Sequence, residues 1–163
     1  MDKSIIVADS SPLIALAIIG QLDLLRQLYE QIWIPPAVWG EIVINGKGLP
    51  GSEAVSNLTW LEIHEPDRTV LRILTLLVDQ GEAEAIALAQ SIPDSTVLLD
   101  DAKARRVAEH FGIQRIGTLG ILRRAKKSGL IGQLRPYLDT LQSNGIYIHP
   151  RLVEAVLRDV GEF

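Results

Sequence analysis

Six carboxylates are the residues of this chain whose types and positions could do chemistry: Asp9, Glu41, Glu82, Glu84, Asp100 and Asp101. Asp9 follows the apolar run 4–8, with Ser10 beside it. Glu41 lies on the helical pattern opened by Pro35-Pro36, Glu82 and Glu84 come just after Gly81, and Asp100-Asp101 close the run 96–99. Carboxylates gathered in one cleft resist joint ionisation unless a cation stands between them. Hard oxygen donors without nitrogen or sulfur partners suit Mg²⁺ or Mn²⁺. The chain has no cysteine, and its three histidines are scattered at 64, 110 and 149. That excludes thiolate metal sites, cysteine nucleophiles and a disulfide framework, and it argues against a histidine-built zinc site. No serine–histidine pair, Walker loop or dinucleotide glycine fingerprint competes with the acids.

Each acid also has a structural use open to it. Asp9, Ser10 and Ser11 can cap a helix. Glu41 can be a surface glutamate, Glu82 and Glu84 can meet the positive end of a helix dipole, and Asp100-Asp101 can cap the helix that follows. The functional reading therefore rests on coincidence of place. In an open parallel sheet, ligands bind beyond the carboxyl ends of the strands, near the point where strand order reverses, and all four locations fall just beyond predicted strands or on the helices that follow them.

The elements that must position these acids alternate between strand and helix. Strands are predicted at 4–8, 31–34, 59–63, 96–99 and 114–116. Helices are predicted from Asp9-Ser-Ser-Pro to Gly20, over 22–29, from Pro36 through Glu41 and Ile42, over 67–79, over 82–90, from about Ala104 to Phe111, from Thr118, and near 132–142 and 150–160. Residues 46–51, with three glycines and a proline, read as a loop. The alanine-rich 82–90 segment is apolar nearly all round and so should be buried. This alternation predicts an α/β chain with a parallel sheet covered on both faces. Trp33, Trp39 and Trp60 read as core packing rather than as a stacking platform.

With 163 residues the chain suits one domain. Residues 1–101 carry fifteen acids against five cations, whereas 102–163 carry five against eleven. An acidic body with a basic flank could hold a divalent cation and a polyanion side by side; a solvated basic helix face is the plainer account. Arg105, Arg106, Arg123, Arg124, Lys126 and Lys127 are the candidate phosphate contacts. The longest apolar runs fall well short of the about 20 residues of a membrane span. The start of the chain imitates a signal peptide, with Lys3 before an apolar stretch, but Asp9 interrupts it. It reads as a mature, cytoplasmic N-terminus.

The ordered set Asp9-Ser-Ser, Glu41 after Pro35-Pro36, Gly81-Glu-Ala-Glu-Ala, Leu98-Leu-Asp-Asp and Gly117-Thr-Leu-Gly-Ile-Leu resembles the PIN domain. Within that family it is most similar to short prokaryotic PIN-like proteins, often toxins of toxin–antitoxin pairs. The motifs span roughly residues 4–128, and 130–163 resemble a helical C-terminal extension of one PIN subgroup. The resemblance implies a single domain over 1–163, a three-layer α/β/α sandwich with a central parallel sheet of four to five strands. It implies a Mg²⁺- or Mn²⁺-dependent endoribonuclease whose catalytic and metal-holding acids are Asp9, Glu41, Glu82 and Asp101, with Ser10, Glu84 and Asp100 in support. It also implies an RNA substrate, an antitoxin protein as a candidate partner and a homodimer, for which apolar residues of the first two helices could supply the interface.

The chain departs from the toxin pattern in two places. Toxins usually carry an aspartate where this chain has Gly81-Glu-Ala-Glu, a run closer to the flap-type nucleases of the same superfamily. Toxins also often carry an Asn-Asp-x-Asp-Phe-like run where this chain has Leu99-Asp-Asp-Ala-Lys. Glu82 is favoured over Glu84 as the direct ligand, since the two lie about 200° apart around a helix; Asp100 and Asp101 are left unordered. Two other classes stay open. A non-catalytic PIN-like interaction module would keep the acids by ancestry. A phosphate-accepting signalling domain would want an acidic pair after the first strand and a lysine after the last, whereas here the pair follows the fourth strand and Gly117 follows the fifth.

Overall fold

Five short strands carry the fold, and their pairing determines where the acids meet. A computed structural model describes residues 4–163; Lys3, the cation of the leader-like start, lies outside them. The strands β1 (Ile5–Ala8), β2 (Gln31–Ile34), β3 (Leu61–Ile63), β4 (Thr96–Leu98) and β5 (Gln114–Ile116) form one sheet in the order β3-β2-β1-β4-β5. Every pairing is parallel, with Val7 opposite Trp33 on one side and Val97 on the other. The chain therefore builds outward from β1 to β3, then crosses back to place β4 on the far side of β1. That reversal is the switch point, and Asp9 and Asp100 follow the two strands that flank it.

Side chains alternate across the sheet and divide the core into two layers. Ile6, Ala8, Ile32, Ile34 and Leu98 face one way, onto α1 (Ser10–Ile18), α2 (Asp23–Leu28), α3 (Pro36–Trp39), α4 (Ser52–Ser56), α8 (Thr118–Lys127), α9 (Arg135–Ser143) and α10 (Pro150–Asp159). Val7, Val97 and Leu99 face the other way, onto α5 (Arg68–Leu74), α6 (Gln80–Gln90) and α7 (Ala102–His110). The result is a three-layer α/β/α sandwich with a five-stranded parallel sheet. The C-terminal helices add Leu138, Leu141, Val156 and Leu157 to the first layer, each at most 8% exposed. Burying side chains of that size favours docking by about 1.5–3 kcal/mol each. Among the described residues no helix is long and apolar enough to cross a membrane.

Several elements differ from the sequence reading, each for a local reason. The helix after Pro35-Pro36 continues as a π-helical turn over Gly40–Ile44, in which the Asn45 N–H donates to the Gly40 carbonyl at 2.8 Å. Such turns are rare and frequent at functional sites, and Glu41 lies within this one. The expected helix over 67–79 ends at Leu74. Asp79 instead begins α6, which runs through Gly81 rather than starting after it. A short helix, α4, follows the glycine-rich loop and was not signalled by periodicity. The expected open apolar face of α1 and α2 is closed: Leu13, Leu16, Leu24, Leu25 and Leu28 all lie in the core. Trp39 and Trp60 pack against the first layer and Trp33 against the second, stacked on the His64 ring at 3.6 Å.

Candidate functional site

Asp9 leaves β1 with its N–H donated to the Leu98 carbonyl of β4 at 3.1 Å, which fixes its backbone between the two central strands. It occupies the residue before α1 in extended geometry, yet its carboxylate makes no capping hydrogen bond. The side chain is also buried, at 5% exposure. A buried carboxylate not used as a cap is the feature of this edge that helix capping does not explain. Burial is the main cause that pushes its pKa up to about 7; the Ser10 backbone N–H opposes this, and the charges of Glu82, Asp79 and Glu41 add to it.

Glu82 is the second buried acid. It sits in the first turn of α6, where Asp79 accepts from the Glu82 N–H at 2.9 Å and Glu82 accepts from the Asp79 N–H at 3.4 Å. This reciprocal capping box holds the carboxylate at the helix entrance. Burial, then the charges of Asp79 and Asp101, push Glu82 up to about 7 as well. Asp9 thus feels the charges of Glu82, Asp79 and Glu41, and Glu82 those of Asp79 and Asp101. Asp79 was not among the sequence candidates. Its signal was present as Asp79 followed three residues later by Glu82, the N-terminal signature of a capping box.

The remaining acids divide by partner. Glu41 accepts from Ser10 Oγ at 2.5 Å, so the serine orients that carboxylate toward α1. Asp101 caps α7 by accepting from the Ala104 N–H at 2.9 Å. Asp100 accepts from both the N–H and the hydroxyl of Thr118, at 2.7 and 2.6 Å. Glu84 accepts from the Ala37 N–H and from Gln80 Nε2, tying α3 to α6.

Gly81 makes room for this arrangement. A Cβ there would fall inside contact distance of Glu41 Oε1 and lie 2.9 Å from Oε2. Gly81→Ala is therefore expected to displace the Glu41 carboxylate from Ser10. Alanine favours a helix over glycine by up to about 1 kcal/mol, so stability should hold or rise while any activity of the acid cluster drops about tenfold or more. Denaturant unfolding and activity measured on the same variant check this; full activity would remove Glu41 from the site.

The basic helix is placed differently from its sequence reading. Arg123 and Lys127 both pair with Asp159, and Lys126 pairs with Glu162. Arg124 donates to the Tyr29 hydroxyl at 2.7 Å and lies over the Tyr29 ring. Four of the six candidate phosphate contacts thus have partners within the chain, three because the end of the protein docks against α8 and Arg124 because α8 packs beside Tyr29. Arg105 and Arg106, on α7 beyond Asp101, make no ion pair among the described residues.

Whether the acids suit a divalent cation can be asked of their chemistry. The donors are all carboxylate oxygens, two are buried, and their repulsion is relieved by a cation. Among the described residues no group of three acids or histidines is spaced to hold a metal ion as it stands; Glu41 and Glu82 instead carry protein hydrogen bonds. The donor set thus fits a hard divalent ion, whose binding would have to compete with Ser10 and the Asp79 N–H.

The chain is a five-stranded parallel α/β/α sandwich with acids at its switch point. Residues 5–162 match the family described as PIN domain, and the chain belongs to that family. PIN domains are generally nucleases and typically use divalent metals. No curated protein matches the chain.

Proposed function

We propose that this protein is a Mg²⁺- or Mn²⁺-dependent endoribonuclease of the toxin type, hydrolysing RNA phosphodiester bonds. The observation that carries the reading is Asp9: buried, unused as a cap, and coupled through charge to Glu41, Glu82 and Asp79 at the switch point. Asp9, Glu41, Glu82 and Asp101 would hold the ion. A divalent ion held there would supply an activated water for in-line attack and neutralisation of charge on the phosphate.

The chain's own groups divide the remaining work. Asp9 is fixed by the β1–β4 ladder and presents its carboxylate without reorganising the backbone. Ser10 orients Glu41, and the Asp79 box orients Glu82. Asp101 is anchored by the N-terminus of α7, while Arg105 and Arg106 on the same helix grip phosphate without reading sequence. In this reading Asp100 and Glu84 brace the site rather than enter it. A cytoplasmic location, a homodimer and an antitoxin partner accompany the toxin-type assignment.

The test is incubation of the purified protein with mixed RNA in Mn²⁺, with and without chelator. Cleavage that needs the metal and leaves 5′-phosphate and 3′-hydroxyl ends is the expected result. Intact RNA under all conditions would favour the interaction-module reading.

A further inference from the structure

A cleft of about 500 Å³ opens between α8 and the segment joining α9 to α10. Asp100, the sequence neighbour of Asp101, lines one end of it. Arg105 lines the same end: its guanidinium and the Asp100 carboxylate flank Gly117 so closely that a Cβ there would lie 3.4 Å from one and 3.0 Å from the other. Ile116, Ile148 and Leu152 give the cleft an apolar wall, and Tyr147 stands on it with 78% of its surface exposed. Arg115 and Arg123 line it too, each paired with one acid, Glu109 and Asp159.

We propose that this cleft receives a nucleobase of single-stranded RNA, stacked on Tyr147, with the adjoining phosphate on Arg105. The inference rests on the ribonuclease reading and names where its substrate lies. The volume is that of a small-molecule pocket. An apolar wall with an exposed aromatic ring suits the face of a base, which only an unpaired strand can offer. Arg105, which makes no ion pair among the described residues, suits the phosphate attached to it. The tryptophans serve core packing, as expected from sequence, and the exposed ring belongs to a tyrosine in the C-terminal extension.

The test uses the full-length Asp9→Asn protein in Mn²⁺, so that binding is read without turnover. A labelled single-stranded oligoribonucleotide and its abasic counterpart are titrated by fluorescence anisotropy. Tyr147→Ala is expected to weaken binding of the normal strand about tenfold, within the range for loss of one stacked base. Tyr147→Phe should bind within about twofold of the parent, since stacking needs the ring and not the hydroxyl. The abasic strand should bind weakly and equally to all three proteins. Equal affinity of Tyr147→Ala and its parent for the normal strand overturns the proposal, as does a Phe variant as weak as the Ala variant. Displacement of the strand by apolar peptide with no dependence on Tyr147 also overturns it. If the wild-type chain cleaves RNA while Tyr147→Ala leaves KM unchanged, the cleft assignment alone falls. If the wild type neither binds nor cleaves RNA, the ribonuclease reading falls and takes the cleft with it.

Discussion

Asp9→Asn is expected to leave the protein folded, to shrink its thermal response to Mn²⁺ and to lower RNA cleavage by more than about 100-fold. The magnitude follows from position, since residues that only orient metal ligands already cost about 10–100-fold when changed. The stability half of the prediction comes from the apo protein. There Asp9 faces the charges of Glu82, Asp79 and Glu41 from a buried position, so replacing it with a neutral side chain of the same shape removes repulsion. Apo melting should rise or stay level. A purely structural Asp9 predicts otherwise. Asparagine caps a helix about as well as aspartate, and the Asp9 side chain makes no cap bond to lose, so melting, metal response and cleavage would all stay put. A variant that cleaves at the parent rate would sink the assignment.

The metal-free protein should also lose stability as pH rises from about 4 to about 7. Asp9 moves from 3.8 to about 7 on folding and Glu82 from 4.5 to about 7. Between those values the native state keeps protons that the unfolded chain has released, so stability falls with increasing pH. One proton over three pH units corresponds to about 4 kcal/mol, a large share of the about 5–15 kcal/mol that holds a typical domain together. Asp159 is held below its ordinary value by Arg123 and Lys127. Glu162 is held down against its own burial by the N–H groups of Leu134 and Arg135. Both act in the opposite sense, but at and below the ordinary carboxylate range, so the two effects separate on the pH axis. Chemical denaturation in chelator at pH 4.5, 5.5, 6.5 and 7.5 should show the decline, and millimolar Mn²⁺ should flatten it. A chelated protein with level stability across that window would mean that Asp9 and Glu82 are solvated in the ordinary way.

The sequence was legible where a signal was local. The five strands, the start of α1 at Asp9-Ser-Ser-Pro and the buried alanine-rich α6 follow from short-range pattern, because burial on both faces and helix punctuation leave marks within a few residues. The neighbourhood of Asp9 and Asp100-Asp101 was inferable once β1 was placed beside β4. What was not legible depended on distant partners. The outward face of α8 looks free in sequence, but Asp159 and Glu162, more than thirty residues on, dock against it. The division between Asp100 and Asp101 depends on Thr118 reaching Asp100 across β5. The π-helical turn that carries Glu41 has no propensity signature. Asp79 differs: its spacing to Glu82 is a local capping-box signal, and it places the start of α6 before Gly81.

The most direct test of the account is whether the acid cluster binds a divalent ion as a unit. Mn²⁺ should be titrated calorimetrically into the apo protein near pH 6.5, in two buffers of different ionisation enthalpy. Asp9 and Glu82, raised to about 7 in the apo protein, would be partly protonated there, and a cation among them would expel those protons. The predicted result is saturable binding whose heat differs between buffers by the protons released, with both binding and release lost in Asp9→Asn. No saturable Mn²⁺ binding, or binding that Asp9→Asn leaves unchanged, would contradict it.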